Sequence, residues 1–290
     1  MRYAVRCGIA LFLGLVVLSS CAQQIPPEIE WAASLKEAFQ LASEKNQPII
    51  VEFWSDECKW CERLEDSTLA HQSVIELATS MVFVRAEAKK DTVLRKRYRI
   101  AGFPTVILMS SSGEEIDRIY GYVPPEEFVS TIQDYLLGKN TLDDLKKRFE
   151  ADPENAELAF RLAEKYEGRR MYEEAGLHYG KVVDIDPKNE KGDSDDALFS
   201  LAWLKVRKKE YLKAVDAFKY FLQKFPKSEM VADAEITIPG CYAKAGDTTK
   251  AIELYEKFLT QHPDSPDTAW VEDKIKALKG STDQTDWSTD

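Results

Sequence analysis

Cysteine and histidine are scarce in this 290-residue chain, at five and three residues. So few thiols exclude a scaffold held together by several disulfides. Structural zinc wants four ligands, yet His71, His178 and His262 are scattered and no second cysteine pair lies at metal spacing, so no metal is expected. An excess of cations is missing too. The 39 basic residues face 50 acidic ones, a net charge of −11, which argues against nucleic acid as a partner. Nor does the apolar run from Gly8 to Leu18 reach the roughly 20 residues of a membrane span.

What is present begins at that run. Arg2 and Arg6 precede it and Leu18-Ser19-Ser20-Cys21 follows, which reads residues 1–20 as a signal peptide with charged, apolar and cleavage regions. The Leu-Ser-Ser-Cys ending resembles the lipobox of bacterial lipoproteins, which implies cleavage before Cys21 and lipidation of its sulfur and amino terminus. An ordinary secretory signal with an incidental cysteine is the alternative. Several acyl chains would hold the chain stably on a bilayer, where one would not. In the lipoprotein pattern Asp at the next position retains the protein at the inner membrane; here it is Ala22, which points to the outer membrane and its periplasmic face. Cleavage would leave 37 bases against 50 acids, a net −13, and three thiols besides the anchor's: Cys58, Cys61 and Cys241.

Two of those thiols stand three residues apart in Cys58-Lys59-Trp60-Cys61. Upstream, Pro48 to Trp54 is an apolar, β-branched run that reads as a buried strand, and Leu64 to Ala78 has helical spacing. The pair therefore falls on a strand-to-helix turn, where positions i and i+3 lie about 5 Å apart and can close a disulfide. Cys58 at the helix start is favoured as a thiolate and nucleophile, with Cys61 resolving one turn on. Glu52 interrupts the strand. If it is buried, its pKa rises and it could take the proton from Cys61; if that strand face is open, it merely meets solvent. From Asp56 to Asp66 five acids (Asp56, Glu57, Glu62, Glu65, Asp66) outnumber Lys59 and Arg63, a net −3 that opposes a thiolate and reads as a reductant or mild exchanger.

Along the chain, residues 21–30 with Pro26-Pro27 read as a stiff tether, reaching no more than about 30 Å. Trp31 to Lys45 reads as an amphipathic helix, Met81 to Val84 as a strand, Asp91 to Tyr98 as a short helix and Val106 to Met109 as a strand. A hairpin at Ser111 to Glu114 returns Ile116 to Tyr120, and Pro124-Pro125 opens a helix ending near Gly138. The basic group Lys89, Lys90, Arg95, Lys96, Arg97 and Arg99 reads as a solvated helix face.

This order, with the cysteine pair after an early strand and Phe103-Pro104-Thr105 before a later one, resembles thioredoxin across residues 31–138. Trp31, Lys45-Asn46-Gln47-Pro48 and the Trp60 between the cysteines make it most similar to exported thioredoxin-like proteins. The resemblance implies a mixed central sheet flanked by helices, a buried acid at Glu52, and a substrate face built from Trp60, Phe103 and Pro104. Pro104 matches the family's cis-proline; a strand-start proline is the plainer reading. Glu57 departs from the Trp the family usually has before its nucleophile. No cofactor is required.

After the stretch 139–155, a linker or helix, only helical patterns remain. Pro187, Pro226 and Pro263 each follow Ala175, Ala214 and Ala251 by twelve residues and Tyr179, Phe218 and Tyr255 by eight. Units starting near Ala156, Asp195 and Ala232 resemble tetratricopeptide repeats, giving residues 156–280 as an all-α solenoid of about three repeats closed by a capping helix at Val271 to Leu278. Pro239 should kink or break its helix. Cys241 reads as a small buried hydrophobe. Residues 281–290 read as a polar, disordered tail. Taken together, the chain reads as an α/β thioredoxin fold followed by a repeat solenoid: a membrane-anchored thiol:disulfide oxidoreductase for exported proteins. Its repeats would recruit a client or redox partner. The alternative is a scaffold or assembly lipoprotein in which the repeats do the work and the first domain is structural.

Overall fold

The computed structural model describes residues 28–281. The expected signal peptide, Cys21, most of the expected tether and residues 282–290 of the expected tail lie outside the described residues. Five strands form one sheet: β1 Trp31–Ala32, β2 Ile49–Trp54, β3 Val82–Glu87, β4 Thr105–Met109 and β5 Glu115–Tyr120, in the order β1-β3-β2-β4-β5. β1, β3 and β2 run parallel, while β4 and β5 are antiparallel additions, so the sheet is mixed.

Alternation along the strands sorts the core into two layers. Ile49, Val51 and Phe53 face Ala38 and Ala42 of α1 (Leu35–Lys45), with Leu94 and Tyr98 of the α4 region (Thr92–Arg97) beside them. Ile50, Phe83, Val106 and Leu108 face the other way, under α3 (Gln72–Ala78) and α5 (Pro125–Leu136), through Leu64, Val74, Phe128 and Ile132. α1 is bounded by its ends: Ser34 Oγ accepts from Glu37 N, and Asn46 adopts the left-handed conformation, its N–H bonded to Ala42 O.

Three sequence expectations change here. Trp31 begins no helix; it pairs with Phe83 as a short edge strand, and the helix starts at Leu35 behind its Ser34 cap. Ile29, assigned to the tether, is buried in the core against this edge, so the folded unit starts before Trp31. The run from Leu64 to Ala78 is not one helix: α2 (Lys59–Arg63) passes into a π-helical turn at Leu64–Leu69, and α3 starts afresh behind His71. Thr68 in that turn donates to Val123 O at 2.6 Å, tying the wider turn to the loop before α5.

From α6 (Leu142–Ala151) the chain is helical. Three hairpins follow, α7 (Ala156–Glu167) with α8 (Tyr172–Ile185), α9 (Ser194–Arg207) with α10 (Tyr211–Lys224), and α11 (Val231–Lys244) with α12 (Thr248–Gln261), and α13 (Thr268–Ser281) covers the end. Ala175, Ala214 and Ala251 have no exposed surface, as helices in close contact require, and Tyr179, Phe218 and Tyr255 fill the core one turn later. Pro239 does not break α11, which runs through it. Its ring is buried, and that burial offsets the hydrogen bond it cannot donate.

The two halves meet over buried charge. Asp117 of β5 is wholly buried, and its carboxylate accepts from Arg169 Nη2 at 2.7 Å and from Leu142 N at 2.6 Å, with Lys165 Nζ at 3.0 Å. Burial opposes its ionisation, but the Arg169 and Lys165 charges outweigh that and hold its pKa below the usual value. Arg118 clasps Glu115 and donates to Tyr98 O at 3.0 Å. Lys165 also donates to Tyr135 Oη at 2.6 Å. Residues of the sheet, α5, α6 and α7 thus share one network.

Candidate functional site

Cys58 is the N-cap of α2, extended in backbone (φ −103°, ψ 97°), which puts its Sγ over the open end of the helix, where it accepts from Cys61 N at 3.1 Å. The two Cα atoms are 5.2 Å apart and the thiols are joined as a disulfide. Cys58 is half-buried and Cys61 buried. An incoming sulfur can therefore reach the first and not the second.

Glu52 does not point to solvent. It is 2% exposed, on the β2 face shared with Ile50, which packs in one cluster with Leu64 of the π-helical turn after α2. Burial pushes its pKa up to about 7, against the opposing pull of Arg85, whose Nε lies 3.0 Å from Glu52 Oε2. Arg85 sits directly across the β2–β3 register, reaches Glu65 Oε1 at 2.9 Å, and lies 4.1 Å over the Trp31 ring. A carboxyl poised near neutrality can hold or release a proton in the working range.

The Phe103–Pro104 peptide is cis. Thr105, next in the chain, pairs with Phe53 of β2 and with Tyr120 of β5, so this loop leaves the same end of the sheet from which the chain runs to Cys58. Pro104 is buried and its carbonyl accepts from Gly121 N at 2.9 Å. Arg95 lies over the Phe103 ring at 5.5 Å. Trp60, 55% exposed, stands beside Tyr122 with ring centroids 5.9 Å apart, and the Arg63 guanidinium covers both.

Residues 35–136 match the family model described as a thioredoxin-like domain. Those residues form a thioredoxin-like domain. Residues 191–273 match a model described as an outer membrane lipoprotein, within a helical region that resembles TPR repeats. The thiol:disulfide interchange protein DsbD of Klebsiella pneumoniae is 25% identical over 101 residues, 33% of this chain and 17% of that protein. Chloroplastic thioredoxin M4 of Arabidopsis thaliana is 31% identical over 94 residues, 32% of this chain and 47% of the relative. The chain thus spans less than half the length of both. Among solved structures, nearly identical TPR-like repeats from Podosopora anserina align at 14% identity with a TM-score of 0.43, covering 55% of this chain and 82% of that one.

Within the thioredoxin-like domain, the charge around the pair differs from the sequence reading. Lys89 and Lys90 are not part of a solvated helix face; they precede α4 and fold back to pair with Glu57 and, at 2.7 Å, with Asp56. Glu65 is taken by Arg85. Three of the five acids thus have cationic partners, and the local excess of negative charge is smaller than the sequence count. Its partners lie 20 to 34 residues away in sequence, beyond any local count. Arg85 was likewise missed, although an arginine opposite a buried acid in adjacent strands is a signal that register alone would have given. Cys241, far along the chain in α11, is buried, and burial pushes its thiol up to about 11.

Proposed function

We propose that this chain is a thiol:disulfide oxidoreductase anchored through Cys21 to the outer membrane, facing the periplasm, where it acts on exported proteins recruited by its repeats. The observation that carries the reading is the asymmetry of the pair: a reachable Cys58 at a helix start and a buried Cys61, following a strand that carries buried Glu52 with its pKa near 7. In the reduced chain the Cys58 thiolate attacks a client disulfide, forming a mixed disulfide and releasing one client thiolate, which takes a proton from water. Glu52 accepts the Cys61 proton; Cys61 then attacks Cys58 Sγ, freeing the second client sulfur. Two electrons pass to the client and the chain is left oxidised. Trp60, Phe103 and Pro104 form the face on which the client backbone lies.

A strong oxidant needs its thiolate heavily stabilised. This site supplies one backbone donor and acids that are mostly ion-paired, with no cation beside the sulfurs among the described contacts, which supports a reductase or mild exchanger. Equilibration with glutathione tests it: a potential above about −150 mV overturns the reductase reading. The activity named for DsbD and the lipoprotein model matched by the repeats both support exchange at the cell envelope. Among the described residues no helix is long and apolar enough to cross a membrane.

The decisive test is trapping. Cys61→Ser should accumulate mixed disulfides through Cys58 in membrane fractions, and Cys58→Ser should abolish both the adducts and insulin reduction. A Cys58→Ser strain without a phenotype would favour the scaffold reading instead. Labelled palmitate entering wild type and not Cys21→Ala tests the anchor.

A further inference from the structure

The inner face of the repeats carries a regular pattern that disulfide exchange does not use. The second residue of each unit is acidic, Glu157, Asp196 and Asp233, and the fifth is apolar, Phe160, Phe199 and Ile236. Toward the end of the stack Phe199, Trp203, Ile236 and Trp270 floor a groove of about 390 Å³ whose rim holds Asp233 and Asp267. Trp270 is half-exposed. Large rings open to water in a concave surface mark a place where another chain can bury area.

The charge says which kind. Among the described residues neither groove carboxylate, Asp233 or Asp267, forms an ion pair. The rings themselves favour cations, and Lys274 already lies 5.0 Å over Trp270. The chain's own tail is a poor occupant, since residues after 281 bring Asp283, Asp286 and Asp290 and no cation.

We propose that this groove docks a basic, apolar segment of the client polypeptide, with lysine or arginine meeting Asp233 and Asp267 and aliphatic or aromatic side chains lying on Phe199, Trp203 and Trp270. The purpose of the docking rests on the oxidoreductase reading; the docking itself does not.

The test is fluorescence anisotropy on the purified full chain with a labelled twelve-residue peptide of alternating arginine and leucine, and the same peptide with glutamate for arginine. The arginine peptide should bind and the glutamate peptide should not. The near-isosteric pair Asp233→Asn and Asp267→Asn should weaken binding about tenfold, and Trp270→Ala about fivefold. Asp143→Asn with Glu150→Gln, two exposed acids of α6, should change it by less than about twofold. Equal weakening by the α6 pair, or binding of the glutamate peptide, overturns the proposal, because general attraction to an acidic protein then accounts for everything. Reduction of dithiobis(nitrobenzoate) reads the cysteine pair separately. Peptide binding without that activity sinks the oxidoreductase reading and leaves the groove standing; activity without binding sinks the groove alone.

Discussion

Arg85 crosses from β3 to place its Nε 3.0 Å from Oε2 of Glu52, and still the Glu52 pKa stands near 7 because burial outweighs the guanidinium. The sign of the consequence follows. An acid whose folded pKa is raised binds more protons folded than unfolded between about pH 4.5 and 7, so its ionisation costs stability as pH rises through that window.

Glu52→Gln should therefore be more stable than wild type at pH 8, by about 3 kcal/mol, with the difference closing below about pH 4.5. Urea denaturation at both pH values measures it. Insulin reduction should fall in the same variant and lose its inflection near neutrality. A variant less stable at pH 8 than at pH 4 relative to wild type would contradict the sign.

Arg85→Met removes the influence that lowers the Glu52 pKa. The midpoint of the pH–rate profile for client reduction should move upward, and a profile that stays in place would separate Glu52 from proton transfer.

Lys89→Gln with Lys90→Gln unmasks Glu57 and Asp56 beside the pair. The added negative charge disfavours the reduced thiolate, so the potential should drop by on the order of 10 mV at low salt and recover in high salt. Glutathione equilibration at two ionic strengths reads this.

Asp117→Ala leaves Lys165 without its carboxylate and Arg169 with Glu115 alone. The loss should be about 3–5 kcal/mol, and denaturation should split into separate transitions for the two halves. A single unshifted transition would deny the network its role.

Phe218→Ala empties a fully buried site against Phe199 and Trp203, with ring centroids at 5.5 and 6.0 Å. It should cost about 3–5 kcal/mol in the repeats while reduction of a small disulfide is unchanged.

Periodicity made the repeats legible: Ala175, Ala214 and Ala251 recur at a fixed distance before a proline because close helix contact demands a small residue each time. Glu52 was legible as an acid in an apolar run, but its facing was not, since one strand seen alone has no inside. Trp31–Ala32 was too short for any period, and its pairing with Phe83 is a property of β3. Asp117, Lys165 and Arg169 were invisible for a different reason. Each looks like an ordinary surface charge until the second half of the chain is laid on the first.

That seam has a kinetic meaning. Because Asp117, Arg118, Lys165 and Arg169 fasten sheet to solenoid, the solenoid is no free arm swinging on a leash. A polypeptide caught on the far repeats presents its sulfur at a radius set by its own slack between docking segment and cysteine. The molecule would then sort its clients by spacing, as a caliper does, before any bond is exchanged.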